Sequence, residues 1–193
     1  SDANRQRVHI PSRSAGLAVA DYNHDSRLDI VIVGYANDLV TTYWGGPGGY
    51  NADRKSTLTT PAPIELETAD LNADGWLDLV ISSYYDPITQ KRDTGTTIYW
   101  GDPQGWTHTN SQWLPSLSAQ AMGVADLDGD GFLDLVTPNY HGELTREHLP
   151  SHIYWGAADG YSAQRRTSLT VDSATDVLIG DFDHDGRLDL AFT

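Results

Sequence analysis

The sequence predicts an all-β protein built of β-propeller blades, each of four antiparallel strands, with three full blades and partial blades at the ends. Three observations carry this. An aspartate-rich segment recurs four times, and a Tyr-Trp-Gly triplet recurs three times between its copies. Short apolar runs bounded by turn residues flank both. No stretch shows sustained 3.6-residue periodicity between helix caps.

The four segments begin at Asp21, Asp70, Asp126 and Asp181, spaced 49, 56 and 55 residues apart. The triplets begin at Tyr43, Tyr99 and Tyr154, and each lies 27 residues before the next aspartate segment. All length variation therefore falls between an aspartate segment and the triplet after it. That places one adaptable loop at a fixed point of the repeat.

Strand a is expected to run into each segment: Gly16 to Asp21, Glu67 to Asp70, Met122 to Asp126 and Val177 to Asp181. Strand b leaves it through Leu28 to Val33, Leu77 to Ile81, Leu133 to Val136 and Leu188 to Phe192. Such apolar runs, rich in β-branched and aliphatic residues, suit strands buried on both faces. Strand c carries the Tyr-Trp-Gly. Strand d includes Thr57 to Thr60 and Ser168 to Val171. Four strands per period of about 50–55 residues read as blades rather than as a sandwich.

The chain is thus expected to be a single incomplete propeller over 1–193, with repeats at 16–62, 66–118, 121–174 and 176–193. Residues 5–11 would be a strand of a preceding blade. Closed propellers usually have four to eight blades. The chain therefore reads as part of a longer propeller, or as a protomer whose unpaired blade edges self-associate with another chain.

Within each aspartate loop, oxygen side chains fall at positions 1, 3, 5 and 9, and position 7 would add its backbone carbonyl. The candidate metal residues are Asp21, Asn23, Asp25, Arg27 and Asp29; Asp70, Asn72, Asp74, Trp76 and Asp78; Asp126, Asp128, Asp130, Phe132 and Asp134; and Asp181, Asp183, Asp185, Arg187 and Asp189. Carboxylates so close repel one another unless a cation sits among them. Hard oxygen donors without His or Cys point to Ca²⁺, up to four ions, with Mg²⁺ a poorer fit. Gly75, Gly131 and Gly186 at position 6 permit the sharp turn. Position 12 carries no Glu, and a strand follows the loop, so these are not EF-hands.

The pattern Asp-x-Asp/Asn-x-Asp-Gly-x-x-Asp followed by a strand resembles the FG-GAP family: the repeats of integrin α-chain propellers and their bacterial VCBS-type relatives. The resemblance spans nearly the whole chain. Ser26 departs from it at the glycine position, Asn23 and Asn72 depart at position 3, and the Phe-Gly and Gly-Ala-Pro words are degenerate. The resemblance implies structural calcium and a ligand face opposite the metal loops, where integrin propellers bind their partners.

Charge narrows the partners. Formal net charge is −15, and the loops hold 14 of the 27 acidic residues. Four Ca²⁺ ions would bring the charge to about −7. Nucleic acid and anionic membranes would be repelled. No apolar run is long enough to insert into a membrane. The absence of Cys excludes disulfides and thiolate chemistry. Near-millimolar extracellular calcium suits such sites, so the expected location is extracellular or at the cell surface, with the periplasm as a variant.

No nucleophile–base pair or phosphate loop stands out, so no enzymatic activity is expected. Variable b–c loops on a rigid scaffold are where binding usually sits. They run from Tyr35 to Thr41, Tyr84 to Thr97 and Asn139 to Ser151. Their candidate ligand residues are Tyr84, Tyr85, Asp86 and Arg92, then Tyr140, His141, Glu143 and Arg146. The expected function is a calcium-binding adhesion or recognition module for protein or glycan. The alternatives are a non-catalytic or partial propeller of a carbohydrate-active enzyme and a structural building block of an oligomer or filament. Trp44, Trp100 and Trp155 are expected to pack between blades, and His24 and His184 to lie at the surface.

Overall fold

The computed structural model describes residues 8, 13–35, 37–86, 88–141 and 149–193. Fourteen strands and no helix are present among them. Three sheets have four strands each, and the last has two. The first sheet holds β1 (Ser14–Ala20), β2 (Asp29–Gly34), β3 (Leu39–Tyr43) and β4 (Lys55–Thr59). The second holds β5 (Pro63–Ala69), β6 (Asp78–Ser83), β7 (Thr96–Tyr99) and β8 (Ser111–Leu114). The third holds β9 (Gly123–Ala125), β10 (Asp134–Thr137), β11 (Ser151–Tyr154) and β12 (Arg166–Leu169), and the fourth β13 (Val177–Gly180) and β14 (Asp189–Phe192).

Every pairing is antiparallel between chain neighbours, so each sheet is an up-and-down meander. The architecture is all-β and propeller-like. Strand b of each full blade is buried almost throughout, as its unbroken apolar sequence requires. Strand d is the exposed outer edge, and its polar alternation in Ser111–Leu114 explains why β8 leaves so faint a trace in the sequence. Strand b begins at the closing aspartate rather than at the leucine before it. The strand expected over 5–11 lies outside the described residues, apart from Val8.

The core sits between blades. Tyr22, Val31, Val33 and Val40 of the first sheet pack on Leu66, Leu79, Ile81 and Tyr99 of the second. Leu71, Val80, Ile98 and Leu114 meet Met122, Leu135, Tyr154 and Tyr161 in the same way at the next junction. Fully burying one such aliphatic side chain is worth roughly 1.5–3 kcal/mol. Neighbouring blades also meet through their first strands, which gathers β1, β5, β9 and β13 together. The Trp44, Trp100 and Trp155 rings each pack against one of these junctions.

The first and last sheets carry exposed apolar side chains on their first strands, although Ile32 and Thr41, on the same face as Leu17, are buried. Leu17 is 57% exposed, whereas Leu66, Met122 and Val177 at the same repeat position are buried. Leu178 at the other end is 60% exposed.

Candidate metal centres and the opposite loop face

The antiparallel meander puts the a–b and c–d turns at one end of each blade and the b–c and d–a links at the other. All four aspartate loops are a–b turns, lying between β1 and β2, β5 and β6, β9 and β10, and β13 and β14.

Each loop is held by its own side chains. In the first, the Asp25 amide donates to Asp21 Oδ1 and Asn23 Oδ1, both at 3.0 Å. The Ser26 amide donates to Asp21 Oδ2 at 2.7 Å, and the Arg27 amide to Asp25 Oδ1 at 3.0 Å. The other three loops repeat this pattern. These local bonds turn the carboxylates inward. In the third loop one oxygen each from Asp126, Asp128 and Asp130 lies within 4.8 Å of the others, and in the fourth the same holds for Asp181, Asp183 and Asp185. Oxygens on a sphere of Ca–O radius 2.3–2.6 Å are separated by at most about 5 Å. The donor set therefore fits a hard divalent ion. In the first two loops the oxygen at position 3 belongs to the amide of Asn23 or Asn72.

Position 9 behaves differently. Asp29, Asp78 and Asp134 are buried. Through Oδ2 each accepts the amide of position 2: Tyr22 at 3.0 Å, Leu71 at 2.8 Å and Leu127 at 2.8 Å. Through Oδ1 each accepts the amide of the Tyr-Trp-Gly glycine: Gly45 and Gly101 at 2.7 Å, Gly156 at 2.9 Å. Asp189 accepts the Phe182 amide likewise. Each carboxylate oxygen has a second lone pair, so these bonds leave room for a cation. Burial pushes the Asp78 carboxyl up to about 6, against its two amide bonds, and the nearby Asp74 and Asp70 push the same way. Asp29 and Asp134 are also raised by burial.

Two features of this end escape a reading of the sequence. Position 4 as well as position 6 adopts positive φ: 58° at His24, 57° at Ala73, 77° at Gly129 and 64° at His184. Ser26, standing where the other loops have glycine, sits at 65°. Further, an aromatic donor recurs seven residues after each triplet tyrosine. Tyr50, Trp106 and Tyr161 donate to the carbonyls of Leu28 at 2.9 Å, Leu77 at 3.0 Å and Leu133 at 2.6 Å. The signal was present as spacing, but Trp106 disguised it among tyrosines. His24 is exposed yet stacks on Trp76 of the next loop, with centroids 4.2 Å apart and planes at 12°.

At the opposite end the structure brings together most of the candidate ligand residues. Tyr84 lies 6.5 Å from Tyr140, which lies 6.1 Å from His141. The Arg92 guanidinium sits 5.0 Å from the Tyr84 ring centroid and 5.3 Å from that of Tyr85. Asp86 instead organises its own loop, accepting the Ile88 amide at 2.8 Å and the Thr89 hydroxyl at 2.6 Å. Glu143 and Arg146 lie outside the described residues.

A profile of the FG-GAP-like repeat matches residues 21–81 and, overlapping them, 70–137. No curated protein sequence matches the chain at a significant level. Two profile matches that together cover more than half of the chain, each running from one aspartate loop through a strand c and into the next strand b, agree with the blade repeat seen here: the chain belongs to the FG-GAP-like repeat family.

Proposed function

We propose that the chain is a calcium-stabilised recognition module, displayed outside the cell or at its surface, that binds protein or glycan through its b–c loops. The observation that carries the metal reading is the convergence of three carboxylate oxygens within 4.8 Å in each of the third and fourth loops. Uncompensated, such a cluster is repulsive; a divalent ion turns the repulsion into attraction. Asp21, Asn23, Asp25 and Asp29, and Asp70, Asn72, Asp74 and Asp78, would hold two more ions with one fewer carboxylate each. The backbone carbonyls of Arg27, Trp76, Phe132 and Arg187 would complete the four shells. The ions would hold strand a to strand b and take no part in a reaction. Calcium outside cells supports that location.

Two measurements test this. EGTA should lower the thermal midpoint by many degrees, with Asp130→Ala weakening calcium binding more than Asn23→Ala; an unchanged midpoint sinks the metal assignment. Replacing the b–c loops with short Gly-Ser links should abolish capture on glycan and protein arrays. Capture that survives the replacement sinks the binding face.

A further inference from the structure

Tyr35, Tyr84 and Tyr140 occupy one repeat position, six residues after the closing aspartates Asp29, Asp78 and Asp134. Three consecutive blades thus present a tyrosine at the same point of the b–c end. Ring centroids step by 6.3 Å from Tyr35 to Tyr84 and by 6.5 Å from Tyr84 to Tyr140, with planes tilted 55° and 30°. The backbone under each ring is fixed in the same way. Their amides donate to the carbonyls of Arg13 at 3.0 Å, Ala62 at 3.1 Å and Leu117 at 3.1 Å, all on the links entering the blades. The Ser118 hydroxyl also donates to the Tyr84 carbonyl at 2.7 Å. Between the first two rings lies a cavity of about 310 Å³, lined by Arg13, Ile64, Gln120 and the two tyrosines among others. That volume is at the small end of ligand sites.

The b–c and d–a links carry the cations Arg13, Lys91 and Arg92 beside the acids Asp38, Asp86 and Asp93. Arg13 is exposed at the cavity rim. Arg92 lies over two tyrosine faces, so a positive charge is built into the row. Arg13 and Arg92 together offer an anion two cationic contacts at this face.

The spacing narrows the ligand. A polyproline helix rises about 3.1 Å per residue, or about 9.3 Å per three-residue turn, and cannot keep step with these rings. An extended peptide could match them with alternate side chains, but such peptides take their affinity from main-chain bonds to a sheet edge. This end presents links and loops rather than an edge. A chain of pyranose rings needs no edge, since each ring offers an apolar face to an aromatic platform and hydroxyls to its surroundings. The mutual tilt of the tyrosines suits a chain that twists from unit to unit.

We propose that Tyr35, Tyr84 and Tyr140, with Arg13 and Arg92, form a stepped site for an acidic oligosaccharide, in which sugar rings stack on successive tyrosines and an anionic substituent meets Arg13. This rests on the reading of the chain as a binding module. The test is calorimetric titration of the 193-residue chain in calcium with tetra-uronides of differing linkage, and with cellotetraose as the uncharged counterpart of the β-1,4 member. At least one uronide should bind about tenfold or more tighter than cellotetraose, and more weakly as salt rises. Tyr84→Ala and Arg13→Glu should each weaken it about tenfold with the thermal midpoint retained. Leu178→Ala, which removes an exposed side chain on β13, should leave it unchanged. Equal affinity for cellotetraose, or indifference to both substitutions, overturns the proposal. So does binding of tetraglutamate in place of any uronide. If no uronide binds but the b–c loops still capture another ligand on the arrays, the site assignment fails and the binding-module reading stands. Silence in both sinks both.

Discussion

The Asp78 carboxylate and the Gly101 amide meet at 2.7 Å across 23 residues of chain. The other Asp78 oxygen takes the Leu71 amide at 2.8 Å. One buried side chain thereby ties together the start of the aspartate loop, the start of strand b and the c–d turn. The same clamp recurs at Asp29 and Asp134. Among the described residues, the acids at positions 1, 3 and 5 bond within their own loop, nearer the surface. The four acids of a loop that look alike in sequence therefore do different work.

Removing the clamp should cost stability even without metal. Asp78→Ala leaves two buried amides without acceptors, at roughly 1–3 kcal/mol each. Urea unfolding in EGTA should show a loss of about 2–5 kcal/mol for Asp78→Ala. Asp74→Ala, at an exposed loop position, should lose less than about 1 kcal/mol. Equal losses would mean that the two buried amide bonds of Asp78 add nothing beyond what an exposed loop acid contributes.

The glycine of the triplet should be the least replaceable in the repeat. A methyl group on Gly101 would sit 2.5 Å from the Leu77 carbonyl oxygen, a backbone atom held by the Trp106 indole. Gly45 and Gly156 face the carbonyls of Leu28 and Leu133 in the same way. Gly75 has φ of 91° but open space around it, so its replacement costs only conformation. Gly75→Ala should lose about 1 kcal/mol, and Gly101→Ala about 3 kcal/mol or more. Thermal or urea unfolding ranks the two, and the reverse order would overturn the clamp.

Much of this was legible in the sequence, because repetition is legible. Four aspartate segments in register gave the blades, and the apolar runs after them gave the buried strands. The division of labour within the loop was not legible. Asp74 and Asp78 are the same residue type four positions apart, and only the sheet decides that one is exposed and the other buried beneath a turn. The triplet glycine could be counted but not explained, since its need arises from a carbonyl 24 residues earlier at Leu77. The tyrosine row was half visible. Tyr84 and Tyr140 stood out in their loops, but that their rings line up across blades with Tyr35 depends on how the blades splay.

Calcium and protons should compete at the clamp. Burial raises the Asp78 carboxyl to about 6, so without a cation it takes up its proton at a higher pH than an unfolded aspartate does. A carboxyl raised on folding contributes stability below its unfolded value near 4 and loses it as pH rises through about 6. Asp29 and Asp134 shift in the same direction. A bound cation reverses the preference, since it favours the ionised form. Calcium at about 100 times its Kd would add about 2.7 kcal/mol per site at neutral pH. The midpoint gain from calcium over EGTA should thus be largest above pH 6 and shrink steadily towards pH 4.5. A gain independent of pH would place the ion away from these carboxylates.

His152 should supply an acid lability of opposite sign. It lies on β11, buried, with Nδ1 3.3 Å from the Ser168 hydroxyl and its ring 6.0 Å from that of Tyr154. Burial holds its pKa down to about 4, and the neighbouring Arg166 adds to the effect. An unfolded histidine titrates near 6.5. Between those values the unfolded chain binds the proton and the folded chain does not, so stability falls as pH drops from about 6.5 to about 4. Thr41 and Thr97 stand at the same repeat position in the first two blades, so His152→Thr keeps the blade pattern while removing the titration. In EGTA, where calcium linkage is absent, urea unfolding from pH 7 to pH 4.5 should cost the unaltered chain roughly 1–2 kcal/mol more than His152→Thr. The aspartates that gain stability over the same range are common to both proteins, so the difference isolates the imidazole. Parallel profiles would show that His152 takes up its proton in the folded blade, by turning towards Ser168 and solvent rather than staying neutral in the core.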